Sequence, residues 1–214
     1  ALEVSPDPIQ HLHEMLDRHQ LGDRVTVHYG LDQSNRERVR STVDEAFGDQ
    51  QLDLVIDDAS HQYLPTLASF NELFPRLREG GRYVIEDWAC DHGTARLLAS
   101  ASADPDSPHH GWALKLLSGD YGNTPSGQRP LGSVPAELMG APPWRSGEKP
   151  TALSTIARHL VRCVAEGSHT IVSVQISSEW IVVTKGDSPV EGSEFDLSTH
   201  CTDGPLADIP DRDN

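Results

Sequence analysis

Long apolar runs are missing. No stretch of the 214 residues comes near the about 20 consecutive apolar residues of a membrane-spanning helix. The opening residues also lack the basic-then-apolar order of a secretory signal. Basic residues are scarce, 17 against 33 acids, for a net charge of −16. Such a balance argues against nucleic acid as a partner, because phosphate binding needs basic surface. It argues equally against an anionic membrane surface. Cysteine is scarce too. Cys90, Cys163 and Cys201 are widely spaced and odd in number, so they form neither a disulfide framework nor a zinc knuckle. They read as unpaired thiols of a reducing, cytoplasmic compartment.

What is present is an alternation of helix and strand signals. Ala1-Leu2-Glu3-Val4 reads as a short strand, ended by an acid and the turn Ser5-Pro6-Asp7-Pro8. Ile9, Leu12, Met15 and Leu16 recur at helical spacing up to Gly22-Asp23. Val25, Val27 and Tyr29 alternate, which predicts a strand over 24–30. Val39, Val43 and Phe47 mark a second helix, stopped by Gly48. Leu52-Asp53-Leu54-Val55-Ile56-Asp57 is a compact apolar strand ending in acid. Leu67, Phe70, Phe74 and Leu77 stripe a further helix, with Gly80-Gly81 as its stop and Tyr83-Val84-Ile85 as the next strand. This order predicts an α/β fold whose sheet is mostly parallel, with right-handed crossovers.

Patterning weakens over 91–149, which reads as a lid or acceptor-binding insert. Trp112, Tyr121 and Trp144 in it, with Trp88 before it, offer flat faces for stacking, or simply pack a long loop. A helix opens at Pro150 and runs to Glu166. Strands over 169–176 and 180–184 follow, separated closely enough by Ser177-Ser178 for an antiparallel hairpin. The domain therefore spans 1–187. The 188–214 remainder is an acidic tail expected to pack peripherally or move freely.

The chemistry collects at strand ends. In an open α/β sheet, ligands bind outside the carboxyl ends of the strands. Glu3 ends the first strand, Asp32 follows the second, Asp57-Asp58 ends the third and Glu86-Asp87 the fourth. Acids this close repel unless a cation or hydrogen-bond donors neutralise them. Taken singly, each could merely cap the following turn or helix. Together they point to a ligand site. Glu3 suits a ribose, whose two hydroxyls a strand-end carboxylate can accept. Asp58, Glu86 and Asp87 suit Mg²⁺, which prefers oxygen ligands. His61, three residues after Asp58, is a candidate general base for a hydroxyl held beside the metal.

Ile56-Asp57-Asp58-Ala59-Ser60-His61, Ser69-Phe70, Leu73-Phe74-Pro75 and Gly80-Gly81-Arg82-Tyr83-Val84-Ile85-Glu86-Asp87 together resemble one family. It is the metal-dependent sugar O-methyltransferases of the macrocin and mycinamicin type. The 28 residues from Asp58 to Glu86 agree with that family's metal motif. Leu31-Asp32-Gln33-Ser34 resembles its loop near the adenine, and 172–186 its closing hairpin. The resemblance implies a Rossmann-like class I fold using S-adenosylmethionine (SAM) and Mg²⁺. It implies Asp58, Glu86 and Asp87 as metal ligands and His61 as general base. Glu3, Asp32, Gln33 and Asp57 become the cofactor-binding set. The acceptor would be a hydroxylated small molecule, a natural-product sugar foremost. The family often forms homo-oligomers, but no interface is legible.

Two features depart from the pattern. Ala59 stands where the family usually has Gly. The first, central strand and its Gly-rich loop are absent from this sequence, which implies residues preceding Ala1, a segment supplied in trans, or a rearranged relative. A degenerate methyltransferase that partners an active enzyme is the alternative function, and a metal-dependent hydrolase a more distant one.

Overall fold

The computed structural model describes residues 1–89, 99–111, 113–114, 151–190 and 195–200. Its elements are α1 (Gln10–Arg18), α2 (Arg36–Phe47), β1 (Leu52–Asp57), α3 (Tyr63–Leu73), a 3-10 turn (Phe74–Arg76), β2 (Leu77–Glu86), α4 (Thr155–Ala165), β3 (Ile171–Ile176), β4 (Trp180–Lys185) and α5 (Leu197–His200). The sheet order is β1-β2-β4-β3. β1 and β2 are parallel, and β4 is antiparallel to both β2 and β3. Three strands thus point one way and β4 runs against them. The α/β class stands. Only one of the three pairings between strands is parallel, because β4 inserts between β2 and β3 instead of extending the edge.

Local signals place most elements. Asn35 caps α2 by accepting from the Arg38 amide, and Gly48 ends it at φ 56°. The expected strands at 1–4 and 24–30 shrink to one parallel bridge, Leu2 with His28. α3 ends at Leu73, earlier than the apolar stripe suggests, because Pro75 lacks the N–H a continuing helix needs. Gly80-Gly81 lies inside β2 and not at a helix end. The register slips there, from Leu52 opposite Leu77 to Leu54 opposite Arg82, and Gly80 takes φ 71° to allow it.

The core lies on one face of the sheet. Tyr83 and Ile85 from β2 and Ile181 and Val183 from β4 alternate inward. They meet Phe70 and Leu73 of α3, Phe74 of the 3-10 turn, and Ile156 and Leu160 of α4. On β1, Leu54 and Ile56 stay about half exposed, and β1 has β2 as its one sheet neighbour among the described residues. Cys163 is buried in α4 and disulfide-bonded, so the expectation of three unpaired thiols does not hold. No helix of the described residues is long and apolar enough to cross a membrane. The 91–149 insert, including Trp112, Tyr121 and Trp144, lies mostly outside the described residues.

Gly186 follows β4 and has no room for a side chain. A Cβ there would lie far inside contact distance of the His169 carbonyl and crowd Val172, while the Gly186 amide already donates to Thr170 O at 2.8 Å. Gly186→Ala is expected to cost about 2 kcal/mol through forced backbone movement, read from the shift of a urea unfolding midpoint. A midpoint at the wild-type value would show that the β3–β4 entry yields.

The described residues 195–200 of the acidic tail do not simply pack at the periphery. Phe195 and Leu197 are buried in the main core. The Asn71 side chain bonds the tail from both ends of its amide. Its nitrogen donates to Asp196 Oδ1 at 3.1 Å, and its oxygen accepts from the Leu197 amide at 2.9 Å. Burial alone would raise the Asp196 carboxyl, but bonds from Ser198 and Asn71 outweigh it and hold the group below its usual range. Burial holds His200 below the usual imidazole range, against a smaller opposing pull from Glu166. In both cases the unfolded chain binds protons more readily than the folded one. This contribution is complete above about pH 6.5 and falls on acidification, first through His200 and then, below about pH 4, through Asp196. The hydrogen-exchange protection of the Leu197 amide should fall over that range, and a constant protection factor would contradict this.

Candidate functional site

Parallel pairing brings the ends of β1 and β2 to one rim, with Asp57 opposite Ile85. The chain turns immediately after each end. Asp58, His61 and Asp87 meet there, each offering a ligand atom, all within 4.8 Å of one another. His61 Nε2 stands 3.7 Å from Asp58 Oδ1. Asp58 and Asp87 are exposed and His61 is half-buried. Glu86 is adjacent in sequence but outside this group. Alternation along β2 sets Tyr83 and Ile85 on the core face and Glu86 with Val84 on the other.

His61 and Asp87 both have left-handed backbones, at φ 52° and 48°. Such conformations persist at non-glycine residues when surrounding contacts over-determine them. At Asp87 the contacts come from the β3–β4 turn. The Asp87 amide donates to Glu179 O at 2.7 Å, and Trp88 Nε1 donates to Ser177 O at 2.9 Å. Ser177 shapes that turn, its hydroxyl oxygen accepting from the Glu179 and Trp180 amides. The hairpin, legible in sequence only as a hairpin, therefore braces the loop that carries Asp87.

Beneath the rim, Asp57 points inward and is buried. It accepts from Ser69 Oγ at 2.6 Å, Tyr83 OH at 2.8 Å and Gln33 Nε2 at 3.1 Å. Burial pushes its carboxyl up, and these three bonds pull it only part of the way back. Burial also pushes the Tyr83 hydroxyl well up, with the Asp57 charge adding to it. Ser69 and Tyr83 stand in the motifs that carry the family resemblance, yet sequence reasoning assigned them no role. The available signal was a polar Ser69 and a hydroxyl-bearing Tyr83 at positions of otherwise apolar periodicity.

Asp57 and Gln33 are thus engaged with each other, whereas Glu3 and Asp32 face outward more. Glu3 is half-buried, and its Oε1 accepts from the Ser5 amide at 2.9 Å. Asp32 is exposed, and its Oδ1 accepts from the Ser34 amide and hydroxyl at 2.8 and 2.7 Å. No bond to the second carboxylate oxygen of either occurs among the described residues.

Two carboxylates and an imidazole this close suit a hard divalent cation with a base beside it. Carboxylate oxygens match Mg²⁺, which keeps several positions for water or substrate oxygens. The donor set at Asp58 and Asp87 therefore fits the ion the sequence implied.

Residues 2–88 match the family model described as a methyltransferase domain. Over 88 residues the chain is 46% identical to an 8-demethyl-8-α-L-rhamnosyl tetracenomycin-C 2′-O-methyltransferase of Streptomyces olivaceus, covering 41% of this chain and 22% of that one. Over 126 residues it is 28% identical to an L-olivosyl-oleandolide 3-O-methyltransferase of Streptomyces antibioticus, covering 59% and 31%. The chain thus spans under a third of the length of these relatives. A solved structure, the MycE methyltransferase from the mycinamycin biosynthetic pathway with Mg, SAH and mycinamycin VI, is 22% identical, with a TM-score of 0.44 over 86% of this chain and 44% of the other. The family and relative matches bear out the resemblance read from Asp57-Asp58 and Glu86-Asp87.

Proposed function

We propose that this protein is a Mg²⁺- and SAM-dependent O-methyltransferase acting on a sugar hydroxyl of a natural product. The observation that carries the reading is the Asp58–His61–Asp87 group at the shared rim of β1 and β2. When bound, Mg²⁺ lowers the pKa of a coordinated hydroxyl, and SAM supplies the methyl. Asp58 and Asp87 hold the ion, with Glu86 as the neighbouring third carboxylate. His61 Nε2 would take the proton that the acceptor hydroxyl gives up when it is methylated. Glu3 and Asp32 would bind the adenosyl group, Glu3 at the ribose. The Ser177–Glu179 turn holds the Asp87 backbone so that the carboxylate does not swing away. Positioning, and not covalent attack by the protein, supplies the rate.

The relatives methylate sugars already attached to larger molecules, as their names state, which is why a glycosylated acceptor is proposed here. Calorimetric titration with SAM in the presence of Mg²⁺ tests the reading. Binding near one per chain is expected, together with methyl transfer abolished by a chelator and restored by Mg²⁺. A folded sample that binds no SAM would overturn it and favour a catalytically silent partner of another methyltransferase.

A further inference from the structure

Gln33 was read as a residue beside the adenosine. Its side chain is spent elsewhere. The loop that carries it lies between the Leu2–His28 bridge and α2. From there the amide reaches across to the end of β1. Nε2 donates to Asp57 Oδ1 at 3.1 Å and to Ser69 Oγ at 3.1 Å, with Asp57 Oδ2 at 3.3 Å. Oε1 accepts from the Ser60 amide at 2.8 Å. The partners fix which end is which. A carboxylate only accepts, so the NH₂ must face Asp57, and a backbone N–H only donates, so the oxygen must face Ser60. Both amide hydrogens and one oxygen lone pair are thereby used.

One planar group therefore spans the turn 57–60. Its inner end is tied to a buried carboxylate and its outer end to the amide just before His61. Asp58 lies inside that span, and His61 follows it with φ at 52°. Without the bridge, the 58–61 turn has no other side chain holding the Ser60 amide among the described residues. His61 would then be free to leave its left-handed conformation, and the Asp58–His61 spacing would widen.

We infer that Gln33 is a positioning residue that sets the Asp58–His61 arm of the metal-binding rim, and not a cofactor contact. The inference rests on the metal-dependent reading above. Geometry makes the requirement specific to glutamine. Asparagine is one methylene too short to meet both ends. Glutamate reaches, but sets a second carboxylate against Asp57 and loses both donors.

Gln33→Ala and the length-matched Gln33→Met are the test, with Tyr83→Phe as control, because the Tyr83 hydroxyl binds Asp57 without bonding Gln33 or Ser60. Mn²⁺ affinity is read by electron paramagnetic resonance, SAM affinity by calorimetry, and Ser60 amide exchange by NMR of the metal-free protein. Loss of an outer partner of a metal site typically costs about 10–100-fold in affinity, and that loss is expected in both Gln33 variants. Faster Ser60 exchange should accompany it, with SAM affinity unchanged. Tyr83→Phe should keep Mn²⁺ affinity near wild type. Weaker SAM binding with intact Mn²⁺ affinity in the Gln33 variants would overturn the inference and restore the adenosine contact. An equal Mn²⁺ loss in Tyr83→Phe would overturn it as well. A wild-type protein that binds no Mn²⁺ would overturn the metal reading itself. Ser60 exchange would then decide separately whether Gln33 holds the turn.

Discussion

His61→Ala should lower the rate of methyl transfer by about 10²–10⁴-fold, the usual contribution of a general base, while Mg²⁺ still binds. The imidazole stands 3.7 Å from Asp58 Oδ1, close enough to share a substrate hydroxyl with the ion. Asp58→Ala should behave differently, losing metal affinity together with activity, because the carboxylate is a proposed ligand. Measuring kcat and Mn²⁺ affinity for both variants separates the roles. If His61→Ala loses metal affinity as fully as Asp58→Ala, the imidazole is a ligand and the base lies elsewhere. If it keeps full activity, the proposed mechanism fails at its central step.

The joint replacement of Arg36 and Arg40 by Ala should destabilise the protein by about 3–5 kcal/mol, the cost of stranding a buried charge. Glu72 is the charge concerned, with a side chain only 1% exposed. Arg40 donates to it through Nε at 2.7 Å and Nη2 at 3.0 Å, and Arg36 through Nε at 3.3 Å. The arginines themselves are roughly two-fifths exposed, at 38% and 41%. The asymmetry decides the sign of the comparison. Removing the arginines leaves a carboxylate in the interior with no cation. Removing the carboxylate by Glu72→Met leaves two guanidinium groups that can turn to water, so it should cost far less. Denaturant unfolding of the three proteins checks the order. Equal costs would mean that the ion pairs matter through packing of the side-chain stems. The site depends on this lock, since α3 carries both Glu72 and Ser69, and Ser69 holds Asp57.

The methyltransferase-like organisation was legible because it is written in short-range pattern. The apolar strand at 52–57, the acid pair that ends it, the second acid pair after Tyr83-Val84-Ile85 and the hairpin are each contiguous. Each appears in the structure within a few residues of its expected place. What misled was also local. Gly80-Gly81 looks like a helix stop, but α3 had already ended before Pro75, and the glycines absorb a slip between β1 and β2. The tail looks uniformly acidic, yet Phe195 and Leu197 find the core through Asn71, more than a hundred residues away in sequence.

The residues themselves determined that carboxylates would crowd one rim of an α/β sheet, because strand ends and their acids are fixed by alternation and by turns only a few residues long. Tertiary structure alone decided how those groups are used. It turned Asp57 inward to Gln33, Ser69 and Tyr83, and turned Asp58 outward to His61 and Asp87. It bonded Gln33 to Asp57, Ser69 and the Ser60 amide, and it set β4 between β2 and β3. Each of these outcomes depends on which distant groups a buried side chain can hydrogen-bond, and that depends on how the strands and helices pack together.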